Sequence, residues 1–145
     1  TEVYQGGAYG WPDCYAVRGK FVGDPELPDR RDCQGLTPPT FEVPPHSAPL
    51  GLAFYSGTAF PSPYRESLFV AMHGSRPELP PAGYKLVRVV FRGGRPAGIE
   101  DFATGWLRHG RVWGRPVDVV AGRDGALYVS DDHGGRIVRI AFGPR

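Results

Sequence analysis

The sequence predicts an all-β fold of four-stranded antiparallel β-propeller blades, and two observations carry that expectation. The first is the stretch 116–142, PVDVVAGRDGALYVSDDHGGRIVRIAF, which reads as three short strands joined by two tight turns. Its first run, 116–122, is apolar and β-branched, and Arg123, Asp124 and Gly125 turn it. A second run, 126–130, is turned by residues 131–135, and 135–142 then alternates with the two-residue period of a half-buried strand. Both turns hold Asp and Gly, residues that tolerate positive φ.

The second observation is that this pattern occurs once before. Leu68, Phe69 and Val70 match Leu127, Tyr128 and Val129 at an offset of 59, and 86–91 matches 137–142 at an offset of 51. The difference of 8 places an insertion around 76–83, between the second and third strands of the earlier copy. That copy takes its first strand from 49–55 and can form a fourth from 97–104. Four antiparallel strands repeated at this spacing suggest blades, each needing neighbours to bury both faces. Chance likeness between two Val/Ile-rich meanders is the plain alternative. One blade then runs over 46–104, with 55–64 as a loop; 106–114 connects, and 112–142 is a blade lacking its fourth strand. In ring-shaped propellers such a strand often comes from the far end of the same chain. Two blades alone leave open sheet edges, so the chain reads as part of a ring.

Composition narrows the function classes. A length of 145 residues suits one domain, and 41% apolar residues supply a core. No apolar run approaches the length of a transmembrane helix. The 21 Gly and 16 Pro are many, but the periodic strands argue against disorder. A net charge of +2 with interspersed signs gives no footprint for nucleic acid or an anionic membrane surface.

The first residue is Thr, which reads as a processed product, a truncation or a piece of something longer. Residues 1–45 look irregular, full of turn signals such as GG, GWPDC, GDPELPD and TPP, with a short strand possible at 40–43. Cys14 and Cys33 are the only cysteines and belong to no metal, redox or haem motif. In a Pro-rich loop segment such a pair is best used as a staple, so a Cys14–Cys33 disulfide is expected, and with it an exported protein, periplasmic or secreted.

Meander geometry says where chemistry can sit. In an up-and-down blade the start of the first strand, the end of the second and the start of the third share one end. That groups the windows 44–47, 73–84, 113–115 and 131–135. They bring His46, His73, Arg76, Arg115, Asp131, Asp132 and His133 to one rim, with Lys85 just inside the third strand. Of the four histidines only His109 lies outside, in the connector. A basic, His-containing rim suits an anionic ligand with several carboxylates. Loops are polar in any case, and that reading stands beside it.

Here the residues carry a resemblance. GGAYGWPDCY, HSAPLGLAFYSG, FPSPYRESLFVAMHGS, GYKLVRVVF and WGRPVDVVAGRDGALYVSDDHGGRIVRI together resemble the C-terminal part of the pyrroloquinoline quinone (PQQ)-dependent sugar dehydrogenases. Within these, the L-sorbosone dehydrogenase-like and soluble aldose dehydrogenase group is the nearest in motif. The resemblance implies a six-bladed β-propeller, export from the cytoplasm, and oxidation of aldose sugars or similar polyols with two electrons passing to PQQ. It also implies a Ca²⁺ ion beside the cofactor over the central channel.

Carried over residue by residue, Arg115 in GRPVD matches a family arginine lying against the PQQ rings, a task suited to guanidinium. Val117 stands where the soluble glucose dehydrogenases have a second arginine. His73 or Arg76 occupies the region of a family lysine that neutralises PQQ carboxylates, and the insertion leaves open which. His46 lies where family loops approach the sugar, and Asp118 is read as ordering its blade. The family's general base, a histidine of an early blade, would lie upstream of Thr1, as would the Gly-Pro carbonyls that hold Ca²⁺. The Gly10-Trp11-Pro12 motif is a different one. No catalytic residue and no metal ligand is therefore expected in this chain. The resemblance makes the parent an enzyme and this piece inactive alone, its partners an aldose-type sugar and the remaining blades. The rival expectation is a non-catalytic propeller segment that works by associating with another chain or a second copy of itself.

Overall fold

Short antiparallel strands build nearly all the regular structure. The structure, a computed structural model, describes residues 2–27 and 32–143, and the end of the GDPELPD turn signal lies outside the described residues. The chain divides into two compact units, Thr1–Val43 and Pro44–Arg145.

In the first unit, β1 (Cys14–Val17) and β2 (Lys20–Gly23) form an antiparallel hairpin. Its two turn residues, Arg18 and Gly19, both take positive φ, 51° and 75°, as a two-residue hairpin turn with the strand twist requires. The Glu42 carboxylate accepts both of their backbone N–H groups, at 2.9 and 2.8 Å. Cys14 is bonded to Cys33 as expected, with 5.9 Å between their Cα atoms. The hairpin was not foreseen. The strand considered at 40–43 does not form. Pro39, Pro44 and Pro45 flank it and deny it ladder donors, and Glu42 is spent on the hairpin turn.

The second unit holds β3 (Pro49–Phe54), β4 (Leu68–Met72), β5 (Lys85–Arg92) and β6 (Arg95–Ala103), paired in that order as one antiparallel sheet. A small hairpin of β7 (Leu107–Arg108) and β8 (Arg111–Val112) occupies what the sequence offered as a bare connector. Then β9 (Pro116–Ala121), β10 (Leu127–Asp131) and β11 (Arg136–Ile140) make a three-stranded antiparallel meander. The strands read from the repeat are thus present to within one or two residues, the fourth beginning at Arg95 instead of 97. Neither sheet closes on itself, so β3, β6, β9 and β11 are edges.

β9 packs against β3 and β4, so the blades meet through their first strands. Between the sheets lie Tyr55, Phe69, Ala71, Leu86, Val119, Leu127 and Val129, all buried, with Phe60 and Trp106 closing the cluster. Each large apolar side chain buried here contributes about 1.5–3 kcal/mol relative to exposure. Register fixes the ends: Met72 pairs with Pro49 and Lys85, and Asp131 with Pro116 and Arg136. First-strand starts, second-strand ends and third-strand starts therefore share one end of the unit.

Candidate functional site

At that end the 73–84 loop is stitched shut. His73 and Gly74 donate backbone N–H groups to the Ala48 and Ser47 carbonyls, both at 3.0 Å, and Ser75 N–H reaches Ala82 O at 2.9 Å. Gly83 adopts φ 82°, and a Cβ there would lie 2.6 Å from Ser47 O and 2.7 Å from Gly74 Cα, so only glycine fits. Tyr84 is buried, and its hydroxyl donates to Ser75 O at 2.5 Å.

Into this loop reaches Arg115, half-buried, from the residue before β9. Its Nη1 donates to Gly74 O (3.2 Å), its Nη2 to Ser75 O (3.0 Å) and Tyr84 Oη (3.2 Å), and its guanidinium lies 4.9 Å from the Tyr84 ring centre. One cation from the second blade thus locks two main-chain carbonyls and an aromatic face of the first.

The main chain carrying Arg115 is held in turn by Asp131, 2% exposed. Asp131 Oδ1 accepts N–H groups from Arg115 and Gly134, both at 2.8 Å, and Oδ2 accepts Arg136 Nε at 3.0 Å. Burial works against its charge, but those N–H donors and the Arg136 guanidinium outweigh it and hold the carboxyl below the usual carboxylate range. Arg136 also donates Nη2 to Trp113 O at 2.7 Å and lies 3.6 Å over the Trp113 ring, which is 52% exposed.

The expected site residues fall as follows. His73 Nε2 lies 3.2 Å from both oxygens of Asp132, an ion pair across the blades when the imidazole is protonated. Arg76 is exposed and makes no ion pair among the described residues. It sits one residue beyond Ser75, which Arg115 grips. His46 is exposed at φ 61°, beside the buried Ser47 whose carbonyl anchors Gly74. His73, Arg76 and Arg115 therefore gather on one loop. His46 shares the end, and its side chain makes no hydrogen bond or ion pair with the other three among the described residues. Lys85 turns away from this group to Asp101 at 2.6 Å. Asp118 caps its own strand, accepting Val119 N–H at 2.8 Å. Tyr84 and the Trp113–Arg136 stack went unread in the sequence; the shared GY/GR step before the third strands was the available signal.

Two carboxylates of this end have cationic partners, Asp131 with Arg136 and Asp132 with His73, while Glu78 on the 73–84 loop makes no ion pair among the described residues. Among the described residues the Arg115 guanidinium bonds only to neutral groups, beside the Tyr84 ring, and the Arg76 side chain makes no ion pair. Such a set fits a planar molecule bearing several carboxylates, as PQQ is.

The two antiparallel blade sheets define a propeller-type protein. The chain belongs to the TrAA12-like family, whose model matches residues 1–142. It is 32% identical to the pyrroloquinoline quinone-dependent pyranose dehydrogenase of Coprinopsis cinerea, over 90% of this chain and 22% of that protein. An uncharacterized protein of Borreliella burgdorferi is 39% identical over 72% of this chain and 28% of its own length. The holo form of the pyranose dehydrogenase PQQ domain from Coprinopsis cinerea superposes with a TM-score of 0.71 at 28% identity, covering 92% of this chain and 40% of that one. The chain thus spans well under half the length of these relatives.

Proposed function

We propose that this chain supplies part of the PQQ-facing rim of an exported, periplasmic or secreted dehydrogenase that oxidises aldose-type sugars. The observation that carries the reading is the Arg115 cluster with unpaired Arg76 beside it. Both Nη atoms of Arg115 are spent on Gly74 O, Ser75 O and Tyr84 Oη, so Arg115 offers its charge and face more than a fresh bidentate fork. Arg76, unpaired among the described residues, is then the group that takes a cofactor carboxylate. His73, held by Asp132, lines the same wall, and His46 is placed toward the sugar. PQQ when bound takes up the two electrons that leave the sugar carbon. The residues here bind and orient it. The proton acceptor and the Ca²⁺ ligands are assigned to blades outside this sequence, so the chain alone is proposed to be inactive.

The test is a titration of the 145-residue chain with PQQ, with and without Ca²⁺, followed by quenching of tryptophan emission, with dye reduction by aldoses measured in parallel. Saturable quenching without turnover is the expected result. Absence of quenching refutes the rim assignment, and turnover refutes the claim that the base lies elsewhere.

A second reading, association with another chain or a second copy, is favoured by one observation: Leu50, Leu52 and Phe54 stand exposed in a row on the edge strand β3. Size-exclusion chromatography decides it, a concentration-independent monomer counting against association.

A further inference from the structure

We infer that Asp131 is a positioning residue for Arg115: its buried carboxylate fixes segment 113–115 and so sets how Arg115 is presented to the quinone acid. The inference rests on the PQQ reading above and assigns it a new residue.

Three observations converge on it. The carboxylate spends one oxygen on Arg115 N–H and Gly134 N–H and the other on Arg136, which reaches on to Trp113 O. The residues on either side of Gly114 are thereby held, one by the acid and one by the acid's own partner. Gly114 itself is shaped around the group, since a Cβ there would stand 2.1 Å from Asp131 Oδ2. The carboxylate fills the space a side chain would take.

The third observation separates positioning from general blade architecture. The equivalent rung of the first blade pairs Met72 with Lys85, as the second pairs Asp131 with Arg136. Met72 is as buried as Asp131, so a blade of this kind closes with an apolar residue there. A buried charge is costly unless bonded, and here it appears on the rung that abuts the arginine-bearing segment. With its main chain fixed by Asp131 and its guanidinium by Gly74 and Ser75, Arg115 has little freedom to lose when a ligand docks.

The experiment compares wild type with Asp131→Asn, Arg115→Ala and the double variant, by amide hydrogen exchange, PQQ titration and thermal unfolding. Asp131→Asn is expected to speed exchange at Arg115 and Gly134 while Val129 stays protected, and to weaken PQQ about tenfold, the loss of one charge-assisted bond. In the Arg115→Ala background it should weaken PQQ no further, because its effect runs through Arg115. Unchanged PQQ affinity with faster exchange, or additive losses in the double variant, overturns the inference. If Asp131→Asn does not fold, Arg136→Gln keeps the acid and its two backbone bonds but gives up the Arg136 bonds to Asp131 Oδ2 and Trp113 O. It should alter Trp113 emission and weaken PQQ by a few-fold, and undiminished affinity overturns the inference equally. A wild-type chain indifferent to PQQ refutes the cofactor reading instead. Exchange alone then judges the placement of Arg115, and unchanged protection in Asp131→Asn refutes it.

Discussion

Gly51 on β3 and Asp118 on β9 touch with no space between them: a Cβ on Gly51 would stand 2.0 Å from Asp118 Oδ1 and 2.5 Å from Asp118 Cα. The side-chain oxygen could swing aside, but the Cα belongs to a paired strand and cannot. Gly→Ala in an extended strand gains about 0.4–1 kcal/mol through the unfolded chain, whereas forced overpacking costs about 1–3 kcal/mol, so the overlap decides the sign. Gly51→Ala should lower the denaturant midpoint. Gly98→Ala, where a Cβ meets nothing within 4 Å, should leave it unchanged or raise it. Equal behaviour of the two variants would show that the blades do not meet through Gly51.

The far end of the same interface is held by Tyr55. Fully buried, its hydroxyl donates to Gly125 O across the blades at 2.8 Å and accepts Phe60 N–H at 3.1 Å. Tyr55→Phe keeps the ring and strands both main-chain groups, which predicts a loss of about 1–3 kcal/mol in urea unfolding. A loss below half a kcal/mol would mean that water replaces the hydroxyl.

The strands were legible because the apolar run 68–70 recurs at 127–129, and because Val87 and Val89, like Val138 and Ile140, flank an arginine in a period of two. Arg115 could be placed at this end of the unit because it directly precedes the first strand of its meander. Tyr84 was not singled out, and Asp131 was placed on the rim without its bond to Arg115, since Tyr84 meets Ser75 and Arg115 at separations of 9 and 31 and Asp131 meets Arg115 at 16, and only register brings them together. The β1–β2 hairpin hid behind an Arg18-Gly19 turn that lacks the Asn-Gly signature. At 40–43 the error ran the other way: strand-forming residues without a neighbour to pair with make no strand.

Linking Cys14 to Cys33 closes a loop of sequence separation 19. In the chain-entropy model a loop of that size stabilises by about 3 kcal/mol. Reduction should therefore speed amide exchange in β1 and β2. Exchange that is identical with and without reductant would show that the hairpin does not depend on the cystine.

Acid should weaken the fold from a specific place. Asp131 has its folded pKa below the unfolded value of about 3.9, so its contribution is complete above that value and drains away as pH falls through the depressed one. Asp124 is lowered in the same direction by Arg139, Tyr128 and the Ala126 N–H, but it is exposed and salt screens it. Urea midpoints at neutral pH and below about pH 4 should fall steeply in wild type and less in Asp131→Asn. Added salt should flatten the Asp124 share and spare that of Asp131. A wild-type slope that survives intact in Asp131→Asn would place the acid-labile group elsewhere.

Arg115 and Arg76 should separate stability from binding. Arg115→Lys exchanges a planar fork for a point charge, which cannot hold Gly74 O, Ser75 O and the Tyr84 face together. It should lower stability by about 1–3 kcal/mol and weaken PQQ as well. Arg76→Ala removes an exposed side chain with no ion pair among the described residues, so stability should stay within about 0.5 kcal/mol of wild type. Its PQQ affinity should nonetheless drop about tenfold, the scale of one charge-assisted contact, and the drop should shrink as salt rises. Unaltered affinity in Arg76→Ala would pass the carboxylate-holding role to His73. In that case His73→Gln, rather than Arg76→Ala, would carry the salt-dependent loss.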